Sequence, residues 1–194
     1  MKQIILAGTD NEPSALEINN RALARRAAAE GCVLLENDGI LPLKPQKIAA
    51  YGSGVRRTVK GGTGSGAVRE RYSVTIEQGL KDAGYTITTT EWLDRFDRFF
   101  DETYETYRQE QEKKVEGIQN FYQILGMVTP FEHPTGIPVE DSDIADSETD
   151  TAIFVLSRQA GEGNDRNLTP GDYLLDEIER ANLRKLSEIG RAHV

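Results

Sequence analysis

A carboxylate stands between two glycines, Gly161-Glu162-Gly163, in the stretch SRQAGEGNDR (157–166), directly after the apolar run TAIFVLSR (151–158). A buried strand that opens into a glycine-rich loop is where α/β proteins tend to place their chemistry. A carboxyl flanked by glycines can reach into a cleft. Partial burial there would raise the pKa of such a carboxyl and let it serve as a general acid. Asp165 and Arg166, three and four residues on, are placed to pair and pin the loop. The plainer alternative is a turn whose acids and arginine face water.

A second stretch, KGGTGSG (60–66), offers backbone N–H groups of the kind that cradle anions. Its details argue against a nucleotide. A phosphate loop needs Lys and then Ser or Thr after its last glycine, whereas Gly66 is followed by Ala67 and Val68; GSGVRR (52–57) lacks the third glycine of a dinucleotide fingerprint. The same small residues let a sugar approach closely, with Ser65 or a backbone N–H meeting its hydroxyls. Cleavage of a glycosidic bond needs a second carboxylate facing the first. Glu70 and Asp172 are the possible partners, and each reads as a solvated charge. By themselves these residues describe an α/β domain with a glycine-rich pocket and one poised acid. A non-catalytic carbohydrate- or nucleotide-binding module is the alternative.

The elements that must position them can be read from periodicity. ALEINNRALARRAAAE (15–30) is a helix stopped by Gly31, and CVLLEN (32–37) reads as a short buried strand before a turn at Asp38-Gly39. KIAAYGSG (47–54) is a strand ending in glycines, VRRTVKGGTGSGAVRERYSV (55–74) a loop, TIEQGLKDAG (75–84) an amphipathic helix, and YTITTT (85–90) a strand. Trp92, Phe96, Phe99, Phe100, Tyr104 and Tyr107 recur every three or four residues, so a long helix runs from Glu91 to about Leu125, or two helices broken near Gly117. Their aromatics read as packing surface. The next stretch, 126–150, is acidic, holds three prolines and has no period; it reads as a long loop, a lid or a partner-facing excursion, with His133 a surface residue rather than a catalyst. GDYLLDEIERANLRKLSE (171–188) is helical. This order predicts an α/β fold, a mostly parallel sheet flanked by helices.

Composition narrows the function classes. The chain of 194 residues carries a formal charge of −9, with no basic stripe to offset it, which argues against nucleic acid. Cys32 is the only cysteine and His133 and His193 the only histidines, so no disulfide within the chain and no metal centre is expected, and no cofactor is implied. The apolar run at Ile4–Ala7 is too short for a signal peptide or a membrane span, and the expectation is a cytoplasmic protein without a membrane partner.

RRAAAEGCVLLENDGILPL (25–43), KGGTGSG with RYSVTIEQGL (71–80), and SRQAGEGNDR occur in that order. Together they resemble the α/β-sandwich domain of family 3 glycoside hydrolases, the β-glucosidase group, over Arg21 to Glu188. The resemblance implies a three-layer sandwich and a retaining β-glycosidase acting on terminal β-linked sugars. It implies that Glu162 is the acid/base residue. It also implies that Lys60, Gly61, Gly62, Thr63, Gly64, Ser65 and Gly66 border the sugar, with Ser65 the best hydroxyl contact, and that Asp165 and Arg166 support the loop. The family's nucleophile is an Asp on a separate (β/α) barrel of the same polypeptide. No stretch here resembles its Ser-Asp-Trp motif, and the only Trp, Trp92, sits in TEWLD. Ala67 stands where the family's glycine loop often has Asp.

The expected organisation is a lead-in over 1–20 and a partial sandwich over 21–188, with 91–150 as an excursion. IGRAHV (189–194) is expected to be a non-native tail, because its codons can be written as a sequencing-adapter read. Sandwich first and barrel second would be the reversed domain order, and the piece without its barrel is expected to be inactive alone, acting on a β-linked glycoside or oligosaccharide only with it.

Overall fold

The structure is a computed structural model that describes residues 12–66, 68, 70–161 and 166–187. It falls into two units, one through Leu41 and one from Pro42 onward.

The first unit is built on α1 (Ala15–Glu30). Ser14 and Glu17 form a reciprocal capping box: Ser14 N donates to Glu17 Oε2 at 2.7 Å and Glu17 N to Ser14 Oγ at 3.2 Å, satisfying two donors the helix leaves open. The strand expected at 32–37 is absent. Cys32 to Asn37 pair with no strand among the described residues, and Val33 and Leu35 are 77% and 92% exposed. Apolar residues make a strand only where a ladder partner is available, and the described residues of this unit form a helix and a turn. The turn at Asp38-Gly39 is present. Asn37 Oδ1 accepts from Gly39 N and Leu41 N, both at 3.1 Å, around Gly39 at φ +107°.

The second unit holds a three-stranded parallel sheet of β1 (Lys47–Tyr51), β2 (Thr86–Ile87) and β3 (Ala152–Phe154), in the order β2-β1-β3. Lys47 pairs with Thr86, and Tyr51 with Phe154. As the central strand, β1 buries every residue after Lys47, whereas β3 is half-buried rather than the buried strand expected. The strand expected over 85–90 is cut to two residues, and Thr89 is the reason. Its hydroxyl accepts from Ala50 N at 2.9 Å and donates to Ala50 O at 2.8 Å, doing with a side chain what a ladder would do.

Helix α2 (Ile76–Asp82), capped by Thr75 and followed by Gly84 at φ +90°, links β1 to β2. The aromatic segment forms α3 (Thr90–Val115) and α4 (Phe121–Met127), separated at Gly117 with φ +76°. Trp92 and Phe96 are packing residues, as expected. The Trp92 ring meets Tyr51 edge-on at 5.4 Å and stacks on Phe96 at 5.8 Å in the core.

Two expectations are corrected here. The 126–150 stretch is not a loose excursion. It contains α5 (Asp141–Ala145), buries Val139, and gives the core its polar partners: Pro138 O accepts from Trp92 Nε1 at 3.1 Å and Asp143 O from Tyr51 OH at 3.0 Å. The last helix, α6 (Glu177–Ser187), begins six residues later than expected. Gly171, at φ +84°, and a Gly171 N to Leu174 O bond of 2.9 Å fold 171–176 into a turn instead. The buried face of α6 is Glu179, Asn182 and Leu186, so two of its three inward residues are polar. Asn182 earns its place by bonding Val139 N and Ile137 O at 2.8 and 2.9 Å. Among the described residues no helix is long and apolar enough to cross a membrane.

Gly52 closes β1 at φ +97°, and a Cβ there would lie 2.4 Å from Val155 O. Gly52→Ala is expected to lower unfolding free energy by about 2–3 kcal/mol in urea titration. A loss under about 0.5 kcal/mol would contradict this packing.

Candidate functional site

Parallel strands present their C-terminal ends to one edge of the sheet, and β1 and β3 both open into glycine-rich loops there. The pairing continues past the strands: Val155 N donates to Tyr51 O at 2.8 Å and Gly54 N to Val155 O at 3.4 Å. A Cβ on Gly54 would meet Val155 Cγ1 at 2.6 Å, so the close approach of the two chains requires glycine. Thr58 then turns the chain away, donating to Gly54 O at 2.7 Å and accepting from Ile76 N at 2.9 Å.

The two motifs singled out in the sequence meet at this edge. Thr63 N donates to Ala160 O at 3.0 Å, and Gln159 Nε2 donates to Gly61 O at 3.0 Å. A Cβ on Gly62 would lie 2.8 Å from Ala160 O, and one on Gly61 2.9 Å from Gly66 O. Both glycines are thus required by the closeness of backbone to backbone. Gly64, Ser65 and Gly66 form a single 3₁₀ turn. Lys60 is ion-paired with Glu70. Glu162 and Asp165 lie outside the described residues, as does the Ser65 side chain. Arg166 is placed in the site, and its described partner is Asp172, at 2.5 Å.

These loops wall a cavity of about 850 Å³. Thr63, Gln159 and Ala160 line one part of it, and Phe100, Phe131 and His133 another. The imidazole of His133 stands 5.0 Å from the Phe131 ring and 5.5 Å from that of Phe100. Burial, and then the neighbouring Arg57 cation, push the His133 pKa below its usual value. The aromatic wall is held by charge: Arg57 lies 3.8 Å over the Phe100 ring and pairs with Asp97 at 3.0 Å and Asp101 at 2.7 Å, while Arg56 bonds Glu77 at 2.9 Å and Asp97 at 3.1 Å. The sequence signal for this clamp was available, an Arg-Arg pair and acids at 94, 97 and 101, one face of a helix.

Asp172 and Glu70, the two carboxylates weighed as partners for Glu162, are both engaged in ion pairs. The Asp172 pKa is held down first by the Asn167 N–H, 2.6 Å from Oδ2, and then by Arg166.

Residues 32–193 match the model of the glycosyl hydrolase family 3 C-terminal domain. The chain belongs to this family. It is 30% identical over 179 residues to a β-glucosidase of Ruminococcus albus and 34% identical over 167 residues to β-glucosidase A of Butyrivibrio fibrisolvens. These alignments take in 85% and 82% of the chain but only 16% and 18% of the relatives, so the chain spans less than a fifth of their length. Among solved structures, β-glucosidase 3B from Thermotoga neapolitana in complex with α-D-glucose superposes with a TM-score of 0.60 at 29% identity, covering 93% of this chain and 23% of that one. A β-glucosidase from Paenibacillus barengoltzii gives 0.64 at 26% identity, covering 93% and 18%. The α/β fold expected from the sequence, a parallel sheet flanked by helices, is the fold of this family's C-terminal domain.

Gly62→Ala is expected to part the two loops, raising amide exchange at Thr63 by at least about tenfold; unchanged exchange would show that the loops do not depend on this contact. A carboxylate with a depressed folded-state pKa contributes stability that is present above its unfolded value, about 3.9, and is lost as pH falls through the lower folded value. Wild-type stability should therefore fall more steeply below about pH 4 than that of Asp172→Asn, read from urea midpoints. Parallel curves would rule out this contribution.

Proposed function

We propose that this chain is the sandwich portion of a retaining β-glycosidase that hydrolyses terminal β-linked glucosides, and that Glu162 is its acid/base residue. The observation that carries the reading is the lacing of the 60–66 loop to the 157–161 loop at the C-terminal edge of β1 and β3, beside a cavity large enough for a sugar. Membership of the family and β-glucosidase relatives support it.

In this reading the nucleophile is an Asp of a barrel domain elsewhere in the same polypeptide. It attacks the anomeric carbon as the bond to the leaving oxygen breaks, and the Glu162 carboxyl gives that oxygen its proton. The Glu162 carboxylate then takes a proton from water as the water attacks the glycosyl-enzyme and frees the Asp. The 60–66 loop approaches the sugar through backbone N–H groups and Ser65, and Arg166 steadies the far side of the acid's loop through Asp172.

The chain by itself is expected to hydrolyse no aryl β-glucoside. In the complete enzyme Glu162→Gln should lower kcat/KM on phenyl β-glucoside by about 10²–10⁴. On 2,4-dinitrophenyl β-glucoside, whose leaving group departs without a proton, azide standing in for the activated water should restore turnover and yield β-glucosyl azide. An unimpaired Glu162→Gln enzyme would remove Glu162 from the mechanism.

A further inference from the structure

Arg158 lies four residues before Glu162 and Arg166 four residues after it. Both side chains dock on one turn, 171–176. Arg158 donates through Nε to Asp172 O, through Nη2 to Leu174 O at 3.5 Å, and through Nη1 to its neighbour Ser157 O at 2.9 Å. Its two terminal nitrogens also grip Glu179 end-on, Nη1 to Oε1 and Nη2 to Oε2, each at 2.6 Å. Arg166 takes the carboxylate of the same Asp172 whose carbonyl Arg158 holds.

Glu179 is fully buried and has a second task at the start of α6. Its Oε2 accepts from Asp176 N at 3.0 Å, while Asp176 Oδ1 accepts from Glu179 N at 2.8 Å, a reciprocal cap of that helix. Asp176 also accepts from Thr135 Oγ1. The fork of Arg158 is therefore seated on a helix terminus that is itself fixed from two sides.

A buried ion pair is a poor device for stability alone, because apolar side chains of the same volume do as well or better once desolvation is counted. What a bidentate fork supplies is direction and distance. Here every donor direction of Arg158 has an acceptor, and the residue stands four positions past the end of β3, on the stretch that leads into the acid's loop.

We propose that Arg158 is a positioning residue for the acid/base: seated on Glu179 and on the turn at Asp172, it fixes where the Glu162 segment leaves the sheet and so how its carboxyl meets the leaving-group oxygen. This rests on the reading of Glu162 as the acid/base residue.

The test uses the leaving group, which a merely structural residue does not sense. A 2,4-dinitrophenolate departs without a proton, whereas a phenolate from phenyl β-glucoside needs one. Arg158→Lys keeps the charge and removes the fork. In the complete enzyme it is expected to lower kcat/KM for phenyl β-glucoside by at least about tenfold, since a displacement of about 1 Å costs up to about a hundredfold. For the dinitrophenyl substrate the loss should stay below about twofold. Glu179→Gln, which keeps the side-chain shape, gives the same comparison if Arg158→Lys does not fold. Equal losses on both substrates, or none on either, overturn the proposal. Glu162→Gln assayed alongside separates the two failures. If it shows no leaving-group-dependent loss, the acid/base reading falls; if it does and the Arg158 and Glu179 variants do not, only the positioning role falls.

Discussion

Val155 N–H reaches the Tyr51 carbonyl at 2.8 Å one step beyond the last paired residues of β1 and β3. This parallel contact carries the site. It joins residues a hundred positions apart in the chain, and it can persist past the strands because Gly52 and Gly54 leave no side chain between the two backbones. Without it the 60–66 loop would have no fixed edge against which to place Thr63 and Gly61. The cavity follows from the pairing and is closed on its other side by the aromatic wall.

Charge does the work at the periphery that apolar burial does at the centre. The core around Ile48, Tyr51, Trp92 and Phe96 is conventional packing. Around it, arginines tie the helices down: α3 by Arg56 and Arg57, α5 by Arg95 on Asp143 at 2.7 Å, and α6 by Arg158 on Glu179. The Arg158–Glu179 pair is the most buried of these, and removing one partner of such a pair costs about 3–5 kcal/mol because the other is left charged and unsolvated. The edge of the sheet is thus held by directional contacts.

Much of this was legible in the sequence, for identifiable reasons. Strands β1 and β3 declared themselves as apolar runs ending in glycine, and the α3–α4 break fell at Gly117 because a positive φ is easiest there. Three motifs in order were specific enough to name the family. What failed to show were contacts whose partners lie far apart. CVLLEN looks like a strand by composition, and nothing local says that no ladder awaits it. Thr89 looks like strand until its hydroxyl is seen on Ala50. The buried face of α6 could not be found by hydropathy because Glu179 and Asn182 are polar, each made acceptable by a partner that only folding supplies. Arg158 was passed over for the same reason. It lay inside the motif, but its meaning came from Glu179.

Glu162 is proposed as one carboxyl of a two-carboxylate retaining site completed by another domain. The most direct measurement is a crystal structure of the complete enzyme with a 2-fluoroglucosyl group trapped on its nucleophile. The Glu162 carboxyl is expected to stand about 5–5.5 Å from that nucleophile's carboxyl, on the face of the sugar from which water attacks. A separation of about 6.5–9.5 Å, or another residue's carboxyl in that position, would contradict it.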